Sequence, residues 1–230
     1  MYITRKYFDS FQIKLIAACA MLIDHTAHVF FPEAIYMRCL GRIAFPIFAF
    51  MVAEGYLRTR NVEKYMIRML LCAVIAQIPY TIMLKNVSGF QINVIFTLLL
   101  GLASIYVIEK GSTFTAVFVP ILFALIAEFA NFDHGAFGIF MVIAFFYTRK
   151  NKLYRNLTAS LLILLFSASY LLRYGLNYYG WVIVAFYLLP LPIINLYNRK
   201  KGISNAFSRW FFYAFYPLHI TILVIIDKLF

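Results

Sequence analysis

The chain has 230 residues, of which 64% are apolar and only 13% are charged. Soluble domains are about 45–50% apolar and about 25% charged, so this composition excludes an ordinary soluble domain and predicts an integral membrane protein. The formal net charge of +12 does not indicate nucleic acid as a partner, because the basic residues fall in short loops between apolar runs. Cys19, Cys39 and Cys72 have neither metal-site spacing nor the even number of a disulfide framework, and we expect no metal.

Apolar runs divide the chain into nine segments near the length of about 20 residues that a membrane-spanning helix needs. In chain order the predicted spans are 11–31, 40–57, 65–84, 92–108, 113–130, 134–148, 157–173, 177–197 and 209–229. The first run lacks a clear small-residue cleavage site, so we interpret it as a retained span. The sequence therefore predicts a single all-α transmembrane domain over 1–230, a polytopic bundle of about nine helices in the cell membrane.

The distribution of Lys and Arg predicts the orientation of this bundle. With the N-terminus inside, 16 of the 21 basic residues lie on the inner side, and five lie outside: Arg38, Arg42, Lys85, Arg173 and Lys228. Because cytoplasmic loops carry an excess of Lys and Arg, the bias predicts an N-in, C-out arrangement.

Polar and ionisable side chains gather in the outer halves of the predicted helices, with His219 near the middle of the last one. Such groups are costly at membrane depth and usually face a bundle interior or a water-filled cavity, so their convergence predicts a functional site. The first span supplies Asp24, His25 and His28. The other members are Arg38, Arg42, Gln77, Asn93, Glu128, Asp133, His134, Arg173 and His219.

The cost of an acid at membrane depth favours a functional role for Asp24 and His25. Asp24 and His28 share a helix face, and His25 lies about 100° away. The alternative for Asp24 and His25 is a structural ion pair or hydrogen bond inside the bundle. We expect hydrogen-bonded interfacial roles for His28 and His134, although His28 also remains a candidate for contact with the substrate.

Six stretches resemble the TraX family, which is named for the membrane enzyme that N-acetylates the N-terminal alanine of F-type pilin. They are "IKLIAACAMLIDH", "GRIAFPIFAFMVAEGYLRTRNVEKY", "AQIPY", "NVIFTLLLGL", "AEFANFDHGAFG" and "FYPLHI". The family is similar to a wider group of membrane acyltransferases that take acetyl-CoA on the cytosolic side and acetylate an acceptor on the other side. The resemblance implies that His25 of "IDH" is the catalytic residue, with Asp24, Arg42 and His219 in the same motif set.

An acetyltransferase needs a base, and a histidine with its ordinary pKa of about 6.5 is suited to that role. Arg42 or Asn93 can stabilise the oxyanion of the tetrahedral intermediate. Other predicted contacts to the acceptor are Gln77, Glu128, Asp133 and His28. Cations for the CoA phosphates are expected from Arg58, Arg60, Lys64 and Arg68, with help from Lys14. The alternative interpretation of these cations is that they only set the topology, and Arg58 can pair with Glu54 four residues earlier.

The expected function is therefore transfer of an acetyl group from cytosolic acetyl-CoA, as co-substrate, to an amine or hydroxyl at the outer face. Expected acceptors are a protein N-terminus, an amino sugar or a surface glycan. Two other functions fit the same residues: a proton-coupled transporter, since Asp and His chains relay protons, and a non-catalytic surface-assembly factor.

Overall fold

The computed structural model describes residues 7–84, 89–174 and 178–229, and in these ranges the fold is all-α, as predicted. The helices are α1 (Ser10–Phe30), α2 (Ile35–Gly41), α3 (Ala44–Arg58), α4 (Val62–Met83), α5 (Val94–Lys110), α6 (Thr113–Phe129), α7 (Gly135–Thr148), α8 (Lys152–Tyr174), α9 (Tyr178–Leu188), α10 (Pro190–Asn195) and α11 (Ala206–Leu229). Within the described ranges, the β-type pairings are two isolated bridges, Phe8 with Tyr197 and Ile92 with Phe132.

Two of the nine predicted segments each consist of two helices with a break between them. The segment 40–57 is divided between α2 and α3, and the segment 177–197 between α9 and α10. Pro46 has no amide hydrogen for the carbonyl of Arg42, and Pro190 has none for that of Phe186, so each proline favours a break just before it. Each of the two lies in the first turn of the helix that follows, where proline is tolerated.

Four stretches are long and apolar enough to cross a membrane: Ser10–Phe30, Ile35–Arg58, Val62–Met83 and Trp210–Leu229. Shorter apolar helices cover Thr113–Phe129, Gly135–Thr148 and Gly180–Asn195. Apolar helices thus dominate the described chain, as expected of a membrane protein. The number of spans and their orientation stay predictions.

The centre of the bundle is α3, which contacts α1, α5, α7 and α10 and has most of its residues buried. On one side of it α1 packs against α2 and α11, and α11 packs along α4. Gly41 at the end of α2 lets this helix approach α1 closely, because a Cβ at Gly41 would overlap the side chain of Asp24. The close approach brings the α2–α3 junction to the predicted site.

Candidate active site

Two histidines from opposite ends of the sequence meet between α1 and α11. His25 Nδ1 lies 2.7 Å from His219 Nε2, and the ring planes are within 6° of parallel. His219 Nδ1 lies 2.6 Å from the carbonyl oxygen of Phe215, one turn earlier in α11. His219 is buried.

The partners of these rings fix their tautomers when both are neutral. A carbonyl only accepts, so His219 Nδ1 carries the hydrogen and its Nε2 is an acceptor. His25 Nδ1 must then donate to His219, which leaves the lone pair of His25 on Nε2. His25 Nε2 is therefore the basic atom of this pair.

Asp24, next to His25 in the sequence, binds two arginines near the break between α2 and α3. Its Oδ1 lies 3.1 Å from Arg42 Nη2 and 3.5 Å from Arg38 Nη1. Arg42 Nε also donates to the carbonyl oxygen of Arg38 at 3.2 Å. Arg38 and Arg42, which were predicted with Asp24 among the converging polar residues, thus contact it, and Asp24 neutralises part of their charge.

The polar network continues from Arg42 to the turn between α6 and α7. Arg42 Nη1 donates to the hydroxyl of Tyr187 at 3.4 Å, and this hydroxyl lies 3.3 Å from His134 Nε2. His134 Nδ1 in turn lies 2.8 Å from Asp133 Oδ1. Burial raises the pKa of the Asp133 carboxyl, but His134 and then Arg42 outweigh it, so the pKa lies below its usual range.

His134 is held in an unusual conformation. Its φ of 65° lies in the left-handed region, which costs about 1–3 kcal/mol for a residue other than glycine. Its ring stacks on Phe45 with centroids 3.8 Å apart, and the backbone oxygen of Asp133 accepts from Thr97 at 2.6 Å. Packing from α3 and α5 therefore fixes this turn.

Two cavities of similar size lie near the histidine pair, although neither His25 nor His219 lines the wall of either one. The first, of about 550 Å³, has Lys14, Arg58, Arg68 and Lys201 in its wall and is called the basic cavity. Its wall also includes Tyr216, whose ring contacts both His25 and His219. The basic cavity therefore extends from a group of cations to a ring that contacts both histidines.

The second cavity, of about 570 Å³, lies at the α6–α7 turn and is called the turn cavity. Its polar wall contains Arg38, Arg42, Glu128, Asp133, His134 and Tyr187. Arg42 links this wall to Asp24, the neighbour of His25. The catalytic candidates His25, His219 and Asp24 are thus linked to the basic cavity through Tyr216 and to the turn cavity through Arg42.

Gln77 and Asn93, which sequence analysis expected to contact the acceptor, join α4 to α5. Asn93 is completely buried, and its amide donates to the carbonyl of Ala73 and to Gln77 Oε1, both at 2.8 Å. Its Oδ1 accepts from the amide of Ile95 at 3.1 Å. With its donors occupied in this way, Asn93 has none to offer an oxyanion, so Arg42 is the donor that we retain.

Glu128 and His28 were also predicted to contact the acceptor, and only Glu128 lines a cavity. Glu128 Oε2 accepts from the amide of Ala136 at 3.2 Å and so caps the start of α7, but it also lines the turn cavity. His28 is half-buried in α1 with Asp24 and Arg38 among its charged neighbours, and it lies outside both cavity walls.

The predicted phosphate-binding cations fall into two groups. Lys14, Arg58 and Arg68 line the basic cavity, whereas Arg60 and Lys64 are exposed and do not. Arg58 Nη2 also pairs with Glu54 at 3.1 Å, which confirms the expected pair, and donates to the carbonyl of Arg199 at 2.9 Å.

Sequence reasoning missed two residues that the fold brings to the cavities. Lys201 lies in the run "NRKKG", where its charge indicated only topology, and Tyr187 lies in an apolar run without any distinguishing signal. The backbone of Arg173 is described but its side chain is not, and Lys85 lies outside the described residues.

Comparison with known proteins finds similarity over most of this chain. The chain is 30% identical over 232 residues to the probable fimbrial assembly protein FimC, serogroup H1, of Dichelobacter nodosus, with 94% of each chain covered. It is also 30% identical over 146 residues to an uncharacterised protein of Rickettsia prowazekii, covering 61% of this chain and 56% of that one. No solved structure matches. The model of the TraX protein family matches residues 10–227, and the chain therefore belongs to the TraX family.

Proposed function

We propose that this protein is a multi-pass membrane acetyltransferase that moves an acetyl group from acetyl-CoA to an amine or hydroxyl on the opposite face. The observation that carries the proposal is the contact of His25 with His219, a pair that Tyr216 links to the basic cavity and that Asp24 and Arg42 link to the turn cavity. Acetyl-CoA enters the basic cavity, and the acceptor enters the turn cavity.

The CoA end of the substrate requires cations that remain near water. Its phosphates are too polar for the hydrocarbon region, and charge-assisted hydrogen bonds to Lys and Arg are the usual way to hold them. Lys14, Arg68 and Lys201 supply such groups in the basic cavity. The thin pantetheine arm then carries the thioester towards Tyr216 and the histidines.

The reaction is a direct acyl transfer with His25 as the base. The acceptor nitrogen or oxygen attacks the thioester carbonyl carbon, and its proton goes to His25 Nε2. The carbon–sulfur bond then breaks, and His25 returns the proton to the departing thiolate. His219 holds the imidazole of His25 in the tautomer that this exchange requires.

Arg42 is placed to stabilise the negative charge that develops on the carbonyl oxygen. Guanidinium has five N–H groups, and one N–H on Nη1 is not used by the observed contacts to Asp24, Tyr187 and the Arg38 carbonyl. Preorganised donors of this kind are among the largest contributors to acyl transfer.

A test of the proposal is incubation of the purified protein with radiolabelled acetyl-CoA and membranes from the producing cells. We expect saturable acetyl-CoA binding and label in a membrane component. A transporter for another solute would show neither result.

The name of the Dichelobacter relative favours one second candidate, a non-catalytic factor in fimbrial assembly. It also makes a fimbrial subunit a candidate acceptor for the proposed enzyme. Loss of fimbriae in a deletion strain, restored by a His25→Ala variant, would favour the non-catalytic role. Restoration only by a chain that retains His25 would favour the enzyme.

The basic cavity gives a prediction about the KM for acetyl-CoA. Replacing both Arg68 and Lys201 by Gln should raise this KM roughly a hundredfold or more, because each lost charge-assisted contact costs about 1.5–3 kcal/mol and about 1.4 kcal/mol corresponds to a tenfold change. Steady-state kinetics would measure the change. The matched control is Lys110→Gln, which removes an exposed charge outside both cavity walls. An unchanged KM in the double variant would move the phosphate site elsewhere.

The orientation gives a second prediction, N-in and C-out, from the distribution of basic residues. In a variant without native cysteines, Lys150→Cys should be shielded from an impermeant thiol reagent in intact cells, and Glu33→Cys should be labelled. Both positions are exposed in the fold. The opposite labelling pattern would reverse the orientation.

A further inference from the structure

A second acid–base group lines the turn cavity, separate from the histidine pair. It consists of Asp133, His134 and Tyr187, and is called the turn triad. The Tyr187 hydroxyl accepts from Arg42 Nη1, so its own hydrogen is available for His134 Nε2. His134 Nδ1 then faces the Asp133 carboxylate. The triad therefore places a carboxylate beside one nitrogen of a histidine and a hydroxyl beside the other, the residue types and order expected of a base supported by a carboxylate.

The turn triad is both rigid and accessible. Phe45 stacks on the His134 ring, and Thr97 holds the Asp133 backbone. The side chains of His134 and Asp133 are 10% and 29% exposed, and all three members of the triad line the turn cavity. A molecule in the turn cavity can thus reach the triad without any change in the fold.

If the proposed acetyl transfer is correct, an amine acceptor must lose two protons, and the second of the two bases is needed for one of them. An amine that is protonated in water must lose one proton before it can attack and a second proton as the amide forms. His25 handles the second proton, since it takes it from the adduct and returns it to the CoA thiolate. The first proton needs another base, whereas a hydroxyl acceptor would need only His25.

The wall of the turn cavity also suits a cation. Asp133 and Glu128 both line it, and Asp24 neutralises part of the charge of Arg38 and Arg42. We propose that the turn triad binds the acceptor as an ammonium ion and removes its first proton before His25 acts. The triad is therefore a second catalytic base on the acceptor side.

The proton transfer balances within the triad. An N–H bond of the ammonium breaks and its proton passes to the Tyr187 oxygen, while the Tyr187 hydrogen passes to His134 Nε2. The Asp133 carboxylate stabilises the resulting imidazolium. The neutral amine moves to the thioester, and the imidazolium later releases its proton through the turn cavity to water.

Other titratable and charged groups surround the triad and affect its pH dependence. They are Asp24 and His25 of α1, Arg38 and Arg42 near the α2–α3 junction, Tyr80 of α4, Glu128 of α6 and Tyr216 of α11. Because the test compares variant with wild type at each pH, the titration of His25 affects both proteins alike.

The test uses the full chain in membranes of the producing cells, with radiolabelled acetyl-CoA as the probe. A His134→Asn variant must rely on acceptor that is already unprotonated, which for an amine with an ordinary pKa of about 8 is about 3% at pH 6.5. We therefore expect transfer on the order of thirtyfold below wild type at pH 6.5 and close to wild type at pH 9.5. Tyr187→Phe should show the same pattern more weakly, and Tyr147→Phe, outside both cavity walls, should equal wild type at both pH values.

The label should resist hydroxylamine, which cleaves esters but leaves amides intact. Label released by hydroxylamine would overturn the inference, as would a His134→Asn variant that equals wild type at pH 6.5 or is equally impaired at both pH values. Acetyl-CoA binding by the variant shows that it has folded. Absence of both binding and transfer in the wild type would instead contradict the proposed function, and the inference would fail with it.

Discussion

Replacing His25 with Ala should lower acetyl transfer by about 10²–10⁴-fold, because a positioned base usually contributes that much to the rate. The proposed base is His25 Nε2, the atom that the bond to His219 leaves with a lone pair. Initial rates of CoA thiol release and of label transfer would measure the loss. The variant should still fold and bind acetyl-CoA, since the cations of the basic cavity are untouched.

Variants of His219 and His28 test whether His25 itself is the base. His219→Asn should be less severe than His25→Ala, because His219 orients the base and does not take the proton. A His25→Ala variant that retains more than about a tenth of the activity would be too active for the proposed role. If His28→Ala alone abolished transfer, the assignment within α1 would be wrong.

Replacing Asp24 with Asn should both destabilise the protein and impair transfer. One carboxylate faces Arg38 and Arg42, so its loss leaves two close positive charges without compensation. Removing one partner of a buried pair costs about 3–5 kcal/mol. Because the Asp24 side chain is 17% exposed and those of the arginines are 34% and 23% exposed, we expect the lower end of that range.

A double-mutant cycle separates the lost pair from general damage at the Asp24 site. Adding Arg42→Gln to Asp24→Asn should recover part of the stability, because one of the two uncompensated charges is removed. Transfer should remain low, since the oxyanion donor is then absent. Unfolding in detergent would measure stability. An Asp24→Asn protein as stable and active as wild type would contradict the assigned role.

The sequence predicted the elements of the site more accurately than their connections. Asp24 and His25 lie beside each other in a strongly apolar helix, so their cost at membrane depth alone indicated a partner, and Arg42 and His219 are now seen to provide it. The contact of His25 with His219 joins residues 194 positions apart, and no local periodicity reports such a distance. The shared motifs of the family supplied that link.

The cost of a polar group at membrane depth also led to the prediction that Gln77 and Asn93 contact the acceptor. These two side chains instead bond mainly to each other and to nearby backbone. A polar group inside a bundle satisfies the physical requirement equally well in a structural bond or in a site. His134 shows the opposite case. Its position in a turn suggested an interfacial role, and only the fold brings it to Tyr187 and a cavity.

The face of the membrane from which acetyl-CoA is used tests the central claim most directly. Acetyl-CoA does not cross membranes, so sealed vesicles of known orientation determine which face receives it. We predict that inverted membrane vesicles from producing cells transfer label from external acetyl-CoA to a membrane component, and that those with His25→Ala do not. Sealed right-side-out vesicles should transfer label only after permeabilisation. Equal labelling of sealed right-side-out vesicles, or labelling that persists without His25, would contradict transfer from the basic cavity through the histidine pair.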